Sequence, residues 1–411
     1  MVALALTVLV LIGYALISKR LTATSLSGPI VFVTLGLVLS DQVLGIFTLQ
    51  LDGEVVQTML KATLVLLLFT EASEMRLDHL RSERLIPTRL LVIAMPLVIG
   101  IGFAIAAVTF TNLGVWEAAL IAAILAPTDA ALGQAVVSNK RVPQDVRHGL
   151  VVESGLNDGL AFPFVLAFGG AAQVAEGAEE LPHLLTLLVE QVGFGVVLGI
   201  VAGWLGGMAI VHAARRGWAT KGWLNVAFVG FAAVSYAVAE MIHGNGFIAA
   251  WVAGLVLGHL IRSTDVHVQT FSLDLGKILV MLSFVVFGAL LLAPALSDLS
   301  WNVALYALLS LVLIRPLAVA ISMFRSGERA PTVAYLGWFG PRGIASIILA
   351  LIVIKRFALI HEDLIVLIMT FTVAASVYLH GITAWPGSNA YANWYQAKSA
   401  DDDVEPVESE S

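Results

Sequence analysis

An all-α, polytopic membrane protein is the fold class this sequence predicts, and three observations predict it. Hydrophobic residues make up 59% of the 411-residue chain and charged residues only 12%, about half the charged share of an ordinary soluble domain. Mean hydropathy is +0.93, and apolar runs long enough to cross a bilayer recur from end to end. Nowhere do apolar and polar residues alternate as they do along the strands of a membrane β-barrel. Cysteine is absent, which excludes disulfides and thiolate chemistry.

Windows bounded by proline, glycine and charge clusters give about thirteen helices, each of roughly 17–25 residues. In order they cover 2–17, 28–48, 54–73, 85–110, 115–138, 148–172, 184–212, 222–242, 245–261, 268–293, 301–324, 333–354 and 361–383. The first has no basic residues before it and no A-x-A cleavage site, so it reads as a permanent span. The connections alternate in charge. Basic ones carry Lys19/Arg20, Arg76/Arg81/Arg84, Lys140/Arg141/Arg147, Arg215/Arg216/Lys221, Arg262 and Arg325/Arg329. Those between carry Asp52/Glu54, Glu176/Glu179/Glu180 and Asp298; only the last, Lys355/Arg356 with Glu362/Asp363, is mixed. The positive-inside rule then places the N-terminus outside and the C-terminus in the cytoplasm, as expected in a prokaryotic plasma membrane. Residues 1–390 read as one transmembrane domain, and 391–411, ending DDDVEPVESES, as a short acidic cytoplasmic tail without a core. An even number of helices per half plus one linker makes an inverted repeat the expected plan.

Charge inside hydrocarbon costs about 2.5–3.5 kcal/mol per group on insertion scales, so the polar residues within these spans need a reason. In "AAILAPTDAALG", Pro127 lacks an N–H and pushes Ala126 off helical geometry, which predicts a helix broken near 123–130. Thr128 is placed to cap the restarted helix, with free carbonyls and Asp129 beside it. Irregular backbone at that depth needs protein or a wet cavity around it, and carbonyls beside a carboxylate suit a small hard cation. The alternative is a simple proline kink with a hydrogen-bonded Asp129. In "VVESGLNDGLAF", Ser154 and Asp158 share one helix face and Glu153 and Asn157 the neighbouring one. Gly155 and Gly159 leave the backbone thin enough for another helix to approach. Interhelical glue is the alternative for Ser154 and Asn157, a poor one for Asp158. In "GWFGPRGIASIILA", Arg342 opens an apolar span and calls for a buried carboxylate; Glu153 is the expected partner, and snorkelling to the surface the alternative. Glu71 in "LLLFTEASEMRL" is expected to reach the cavity and Glu74 to stay at the interface. Lys61, Lys277 and Arg315 read as snorkelling side chains, and His380 as the residue before a helix stop at Gly381 and Pro386. The histidines show no H-E-x-x-H spacing.

"APTDA" followed by "ESGLNDG", with "GPRG" and "HGITAWP" further on, resembles the signature of NhaP-type sodium/proton antiporters, in the monovalent cation:proton antiporter superfamily. The resemblance implies a homodimer in lipid, with one set of helices moving against a static scaffold. It implies that Thr128, Asp129, Ser154 and Asp158 hold Na+ (or Li+ or K+), with Glu71 nearby, Asn157 in support and a Glu153–Arg342 pair as brace. Asn157 in place of a second aspartate implies one proton per cation and no net charge moved. The short tail departs from relatives that carry a long regulatory domain. The expected function is therefore exchange of a monovalent cation for H+ by alternating access, with no cofactor, no nucleic-acid partner and no enzymatic reaction. K+/H+ exchange, a cation-coupled symporter and a channel are the alternatives. An intramembrane hydrolase lacks a nucleophile–base pair, and a channel needs a polar stripe where these residues cluster at one depth.

Overall fold

The computed structural model describes residues 2–21, 24–47, 53–75, 85–129, 132–177, 181–262, 269–357 and 359–402. Arg76, Arg81, Arg84, Asp52, Glu179 and Glu180, and the tail from 403, lie outside the described residues. The described residues are helical, with no strand among them. In chain order the helices are α1 (Val2–Leu21), α2 (Gly28–Leu39), α3 (Glu54–Glu74), α4 (Leu85–Thr109), α5 (Val115–Ile124), α6 (Gln134–Ser138) and α7 (Gln144–Ala175). There follow α8 (Leu181–Arg215), α9 (Lys221–Met241), α10 (Gly246–Arg262), α11 (Gln269–Asp298), α12 (Trp301–Ser322), α13 (Ala330–Trp338), α14 (Ile344–Arg356) and α15 (Glu362–Asp402). Among the described residues, nine helices are long and apolar enough to cross a membrane. The molecule is a multi-pass integral membrane protein.

Two of the expected spans are interrupted. The span expected at 115–138 is α5 and α6, and among the described residues between them 125–129 and 132–133 are not helical, where the break was expected near 123–130. The span expected at 333–354 is α13 and α14, broken at 339–343, where the sequence reading had one helix. Gly340 and Pro341 do there what Pro127 does in the first break: they remove an N–H donor and the preference for helical geometry. The expected stop after His380 is also corrected. α15 runs through Gly381 and Pro386 to Asp402, so the helix continues past position 391, where the tail was expected to begin.

Three helices contain a wide π-turn, each two residues ahead of a proline: Leu90–Ala94 before Pro96, Phe287–Leu292 before Pro294 and Ser310–Ile314 before Pro316. The wider turn absorbs the hydrogen bond that proline cannot donate, and it shifts the register of the side chains around it. Close helix approach organises the rest. α10 lies against α3 so tightly that a Cβ at Gly254 or Gly258 would strike the backbone of Phe69 or Ser73.

α15 touches α5 and the chain beyond α6. At one end Glu117 of α5 accepts hydrogen bonds from His361 N (3.2 Å) and faces His361 Nδ1 at 2.8 Å. At the other end Asn139, just past α6, donates to Asn389 Oδ1 at 3.3 Å, and Arg141 donates to Asn393 and Gln396.

Candidate functional site

The two breaks meet in the middle of the fold and bond to each other. Asp129 N donates to Pro341 O at 2.8 Å, and Ile344 N donates to Asp129 Oδ2 at 2.8 Å. Arg342 Nη1 donates to Ala126 O (2.7 Å) and Pro127 O (3.3 Å), and Ser346 Oγ donates to Ile124 O (2.8 Å). A carboxylate therefore sits at the N-terminus of α14, and a guanidinium sits on the carbonyls just past the C-terminus of α5. Each charge complements the dipole of the helix from the other break. From α15, Ser376 Oγ accepts from Arg342 N at 2.6 Å and fixes the second break in turn.

This arrangement corrects three expectations. Arg342 is buried, but its contacts are the backbone carbonyls of the first break and not Glu153. Glu153 instead pairs with Arg315, read from the sequence as a snorkelling residue. Arg315 Nη1 and Nη2 reach Glu153 Oε1 and Oε2 at 2.6 and 2.9 Å, and both side chains are buried. The reason is register. Arg315 directly follows the π-turn of α12 and lies well inside that helix, beyond reach of either surface. Lys61 and Lys277 are exposed, as expected. Third, Thr128 does not cap the restarted helix. Its hydroxyl shares a 3.0 Å hydrogen bond with Ser154 Oγ and accepts one from Asn157 Nδ2 at 2.8 Å. Asp129 makes the local turn instead, its Oδ1 accepting from Leu132 N at 3.3 Å.

Thr128, Ser154, Asn157 and Asp158 are all buried. Asp158 Oδ1 and Asn157 Oδ1 have no hydrogen-bond partner, so two acceptor oxygens face inward beside the Thr128–Ser154 pair. Buried acceptors are normally satisfied, so each of these orphans calls for a donor or a cation. Glu71 and Asp129 are the acidic neighbours of Asp158. Glu71 lies at the wall of a funnel of about 1440 Å³, which Thr70, Gly155, Glu74, Lys19, Arg262 and Lys277 also line. The funnel thus opens on the face that carries basic residues and closes one helical turn short of Asp158. Glu74 is exposed there, as expected.

Two glycines of "GPRG" are forced by these contacts. A Cβ at Gly340 would run into the Arg315 guanidinium, and one at Gly343 into the Asp129 carboxylate. Gly340→Ala and Gly343→Ala are each expected to destabilise by about 1–3 kcal/mol, the usual penalty of overpacking. Gly230→Ala, where the added methyl meets open space, is the control, expected to change stability by about 0.4–1 kcal/mol in the favourable direction. Thermal unfolding in detergent distinguishes the three.

The family described as "Sodium/hydrogen exchanger, transmembrane" matches residues 6–386 of this chain. The chain belongs to that family. Among similar exchangers are the K(+)/H(+) antiporter NhaP of Alkalimonas amylolytica, 27% identical over 362 residues, covering 85% of this chain and 61% of that protein. The K(+)/H(+) antiporter NhaP2 of Shewanella oneidensis is 30% identical over 244 residues, covering 56% of this chain and 40% of that protein. The Na(+)/H(+) antiporter NhaP of Pseudomonas aeruginosa is 29% identical over 348 residues, 78% of each chain. This chain therefore spans 61% and 40% of the length of the first two relatives. Its fold is that of the sodium proton antiporter MjNhaP1 from Methanocaldococcus jannaschii, with a TM-score of 0.75, 21% identity, and coverage of 96% of this chain and 99% of that one. The fold class expected from the sequence is borne out, and so is the family resemblance.

The sequence reading missed the second break, the role of Arg315, and the serines that hold the crossing. Signals for the first two were present. "GPRG" interrupts an apolar run as "APTD" does, and "RP" within an apolar span marks a shifted register. Ser346 and Ser376 carried no signal of their own.

Proposed function

We propose that this chain exchanges a monovalent cation for a proton across the membrane by alternating access, a transport reaction and not an enzymatic one. The observation that carries the proposal is the orphaned Asp158 Oδ1, buried beside hydroxyl and amide oxygens just beyond the floor of a funnel. The names of the relatives, K(+)/H(+) and Na(+)/H(+) antiporters, support the same reading. Asp158, Ser154 and Thr128 supply the oxygens for Na+, Li+ or K+, and Glu71 receives the ion from the funnel. Three carboxylates converging in a low-dielectric interior need positive charge among them, whether proton or metal cation. Asp129 contributes its negative charge to this cluster while its oxygens hold the crossing of the breaks. Asn157 orients Thr128, and the Glu153–Arg315 pair braces α7 against α12.

Coupling follows from charge. With neither cation nor proton on Asp158, the site would have to move a bare negative charge through a hydrophobic barrier, and that penalty confines movement to the loaded forms. One carboxylate alternating between one cation and one proton moves no net charge. Sodium-driven proton movement is therefore expected to be unchanged when the membrane potential is clamped at different values; a potential-dependent rate would point to a second proton.

The basic mouth of the funnel is read as cytoplasmic by the positive-inside rule, which puts the N-terminus outside and this structure in an inward-open state. α1 buries only Thr7, so its apolar surface is left for lipid and for a second copy of the chain in a homodimer. Reconstituted vesicles loaded with a pH dye and given sodium, lithium or potassium pulses test the reaction. Proton movement opposite to the cation gradient is the expected result. Proton movement indifferent to every alkali cation would overturn it.

A further inference from the structure

The funnel ends at Gly155, and what lies one turn beyond it is aromatic. Trp251 of α10 lays its indole on the backbone of α7 at Gly159, where a Cβ would collide with the ring. Its Nε1 donates to Gly155 O at 3.2 Å. One turn further along α7, Phe162 stacks on Phe247 of α10, with ring centroids 5.1 Å apart and planes 15° apart. Tyr236 of α9 closes over Phe247 edge-on at 5.0 Å. Phe162 and Phe247 are buried, at 1% and 4% exposure. Among the described residues, Gly155 lines the funnel but Gly159, Phe162, Phe247 and Trp251 do not.

We infer that Trp251 and Phe247 form the barrier that closes the site to the face opposite the funnel, with Gly159 as the slot that seats the indole. Two features make this a gate and not merely packing. First, both rungs join the same two helices, α10 and the α7 that carries Asp158, so movement between those helices opens or closes both together. Second, the indole bond is made to a main-chain carbonyl on a glycine track. Such a contact is held by a single hydrogen bond, and the missing Cβ at Gly159 lets the ring seat against the backbone and leave it, while Gly155 gives its close approach to Met75 and Glu71. A hydrated cation cannot pass two close-packed aromatic layers, since interiors at that density leave no room for water. Trp251 thus acts through α7 as a positioning residue. It sets how long the site stays closed on that side.

The inference rests on the reading of α7 as the ion-bearing helix, but its test does not depend on transport. The chain has no cysteine, so one can be introduced and followed alone. Val151 of α7 lines the funnel and is 40% exposed, which makes Val151→Cys a reachable probe of similar size. Right-side-out and inside-out membrane vesicles carrying this chain are treated with a membrane-impermeant maleimide. Val151→Cys is expected to be labelled from one side only. Adding Trp251→Ala is expected to bring labelling from the other side up to the rate seen from the funnel. Trp251→Phe keeps a ring over Gly159 while losing the N–H, and is expected to retain one-sided labelling. If Trp251→Ala does not fold, Phe247→Ala carries the same test. Two-sided labelling of the Val151→Cys parent would overturn the barrier. So would one-sided labelling that persists in a folded Trp251→Ala or Phe247→Ala protein. A result in which the barrier opens as expected, while the pH-dye assay shows no cation-linked proton movement, would leave the gate standing and remove the exchange reading.

Discussion

Asp158→Asn abolishes cation-driven proton movement in reconstituted vesicles and leaves thermal unfolding close to that of the parent chain. The amide is the same size as the carboxylate and occupies the same buried place, so packing is preserved. What it loses is the negative charge that binds the cation and the ability to take up a proton. Both half-reactions go together, and the expected activity is background. Ser154→Ala is a milder change. It removes one neutral oxygen and the bond to Thr128, so it weakens cation affinity while exchange at saturating cation survives. Retained exchange in Asp158→Asn would discard Asp158 as the shared site, whatever the fold.

Breaking the Glu153–Arg315 pair has the largest expected effect on stability. The two side chains make a bidentate pair at 2.6 and 2.9 Å, and Arg315 adds a bond to Leu336 O at 3.2 Å. Removing either partner leaves a buried, uncompensated charge, which costs about 3–5 kcal/mol. Glu153→Met and Arg315→Met should each show that loss in thermal or denaturant unfolding in detergent. The double variant should recover much of it, because two neutral side chains of similar volume need no partner. The corresponding cycle between Glu153 and Arg342 should show a much smaller coupling, since Arg342 leans on the carbonyls of Ala126 and Pro127. Equal coupling in both cycles would mean that Glu153 serves the two arginines alike.

That second prediction also shows where sequence reasoning stops. The low charge content and recurrent apolar runs were enough for the fold class. Pro127 beside Asp129 was enough for a broken helix, because proline's missing donor acts locally. The i, i+4 spacing of Ser154 and Asp158 was enough to put them on one face, and the structure buries both. Which carboxylate meets which guanidinium is a matter of distance between helices remote in the chain. Two further physical facts misled the assignment. A π-turn ahead of Pro316 carried Arg315 inward, and local spacing does not announce such a turn. A buried guanidinium was assumed to need a carboxylate, whereas carbonyls freed at a broken helix end accept from Arg342 Nη1.

An interrupted helix would ordinarily flex at the interruption. Here α15 runs alongside like a splint, tied above the fracture through Glu117 and His361 and below it through Asn139 and Asn389. The two fragments are thereby kept in line, and bending between α5 and α6 would have to tear the splint from one end. Whatever carries cargo across must shift the fractured rod and its splint as a single piece.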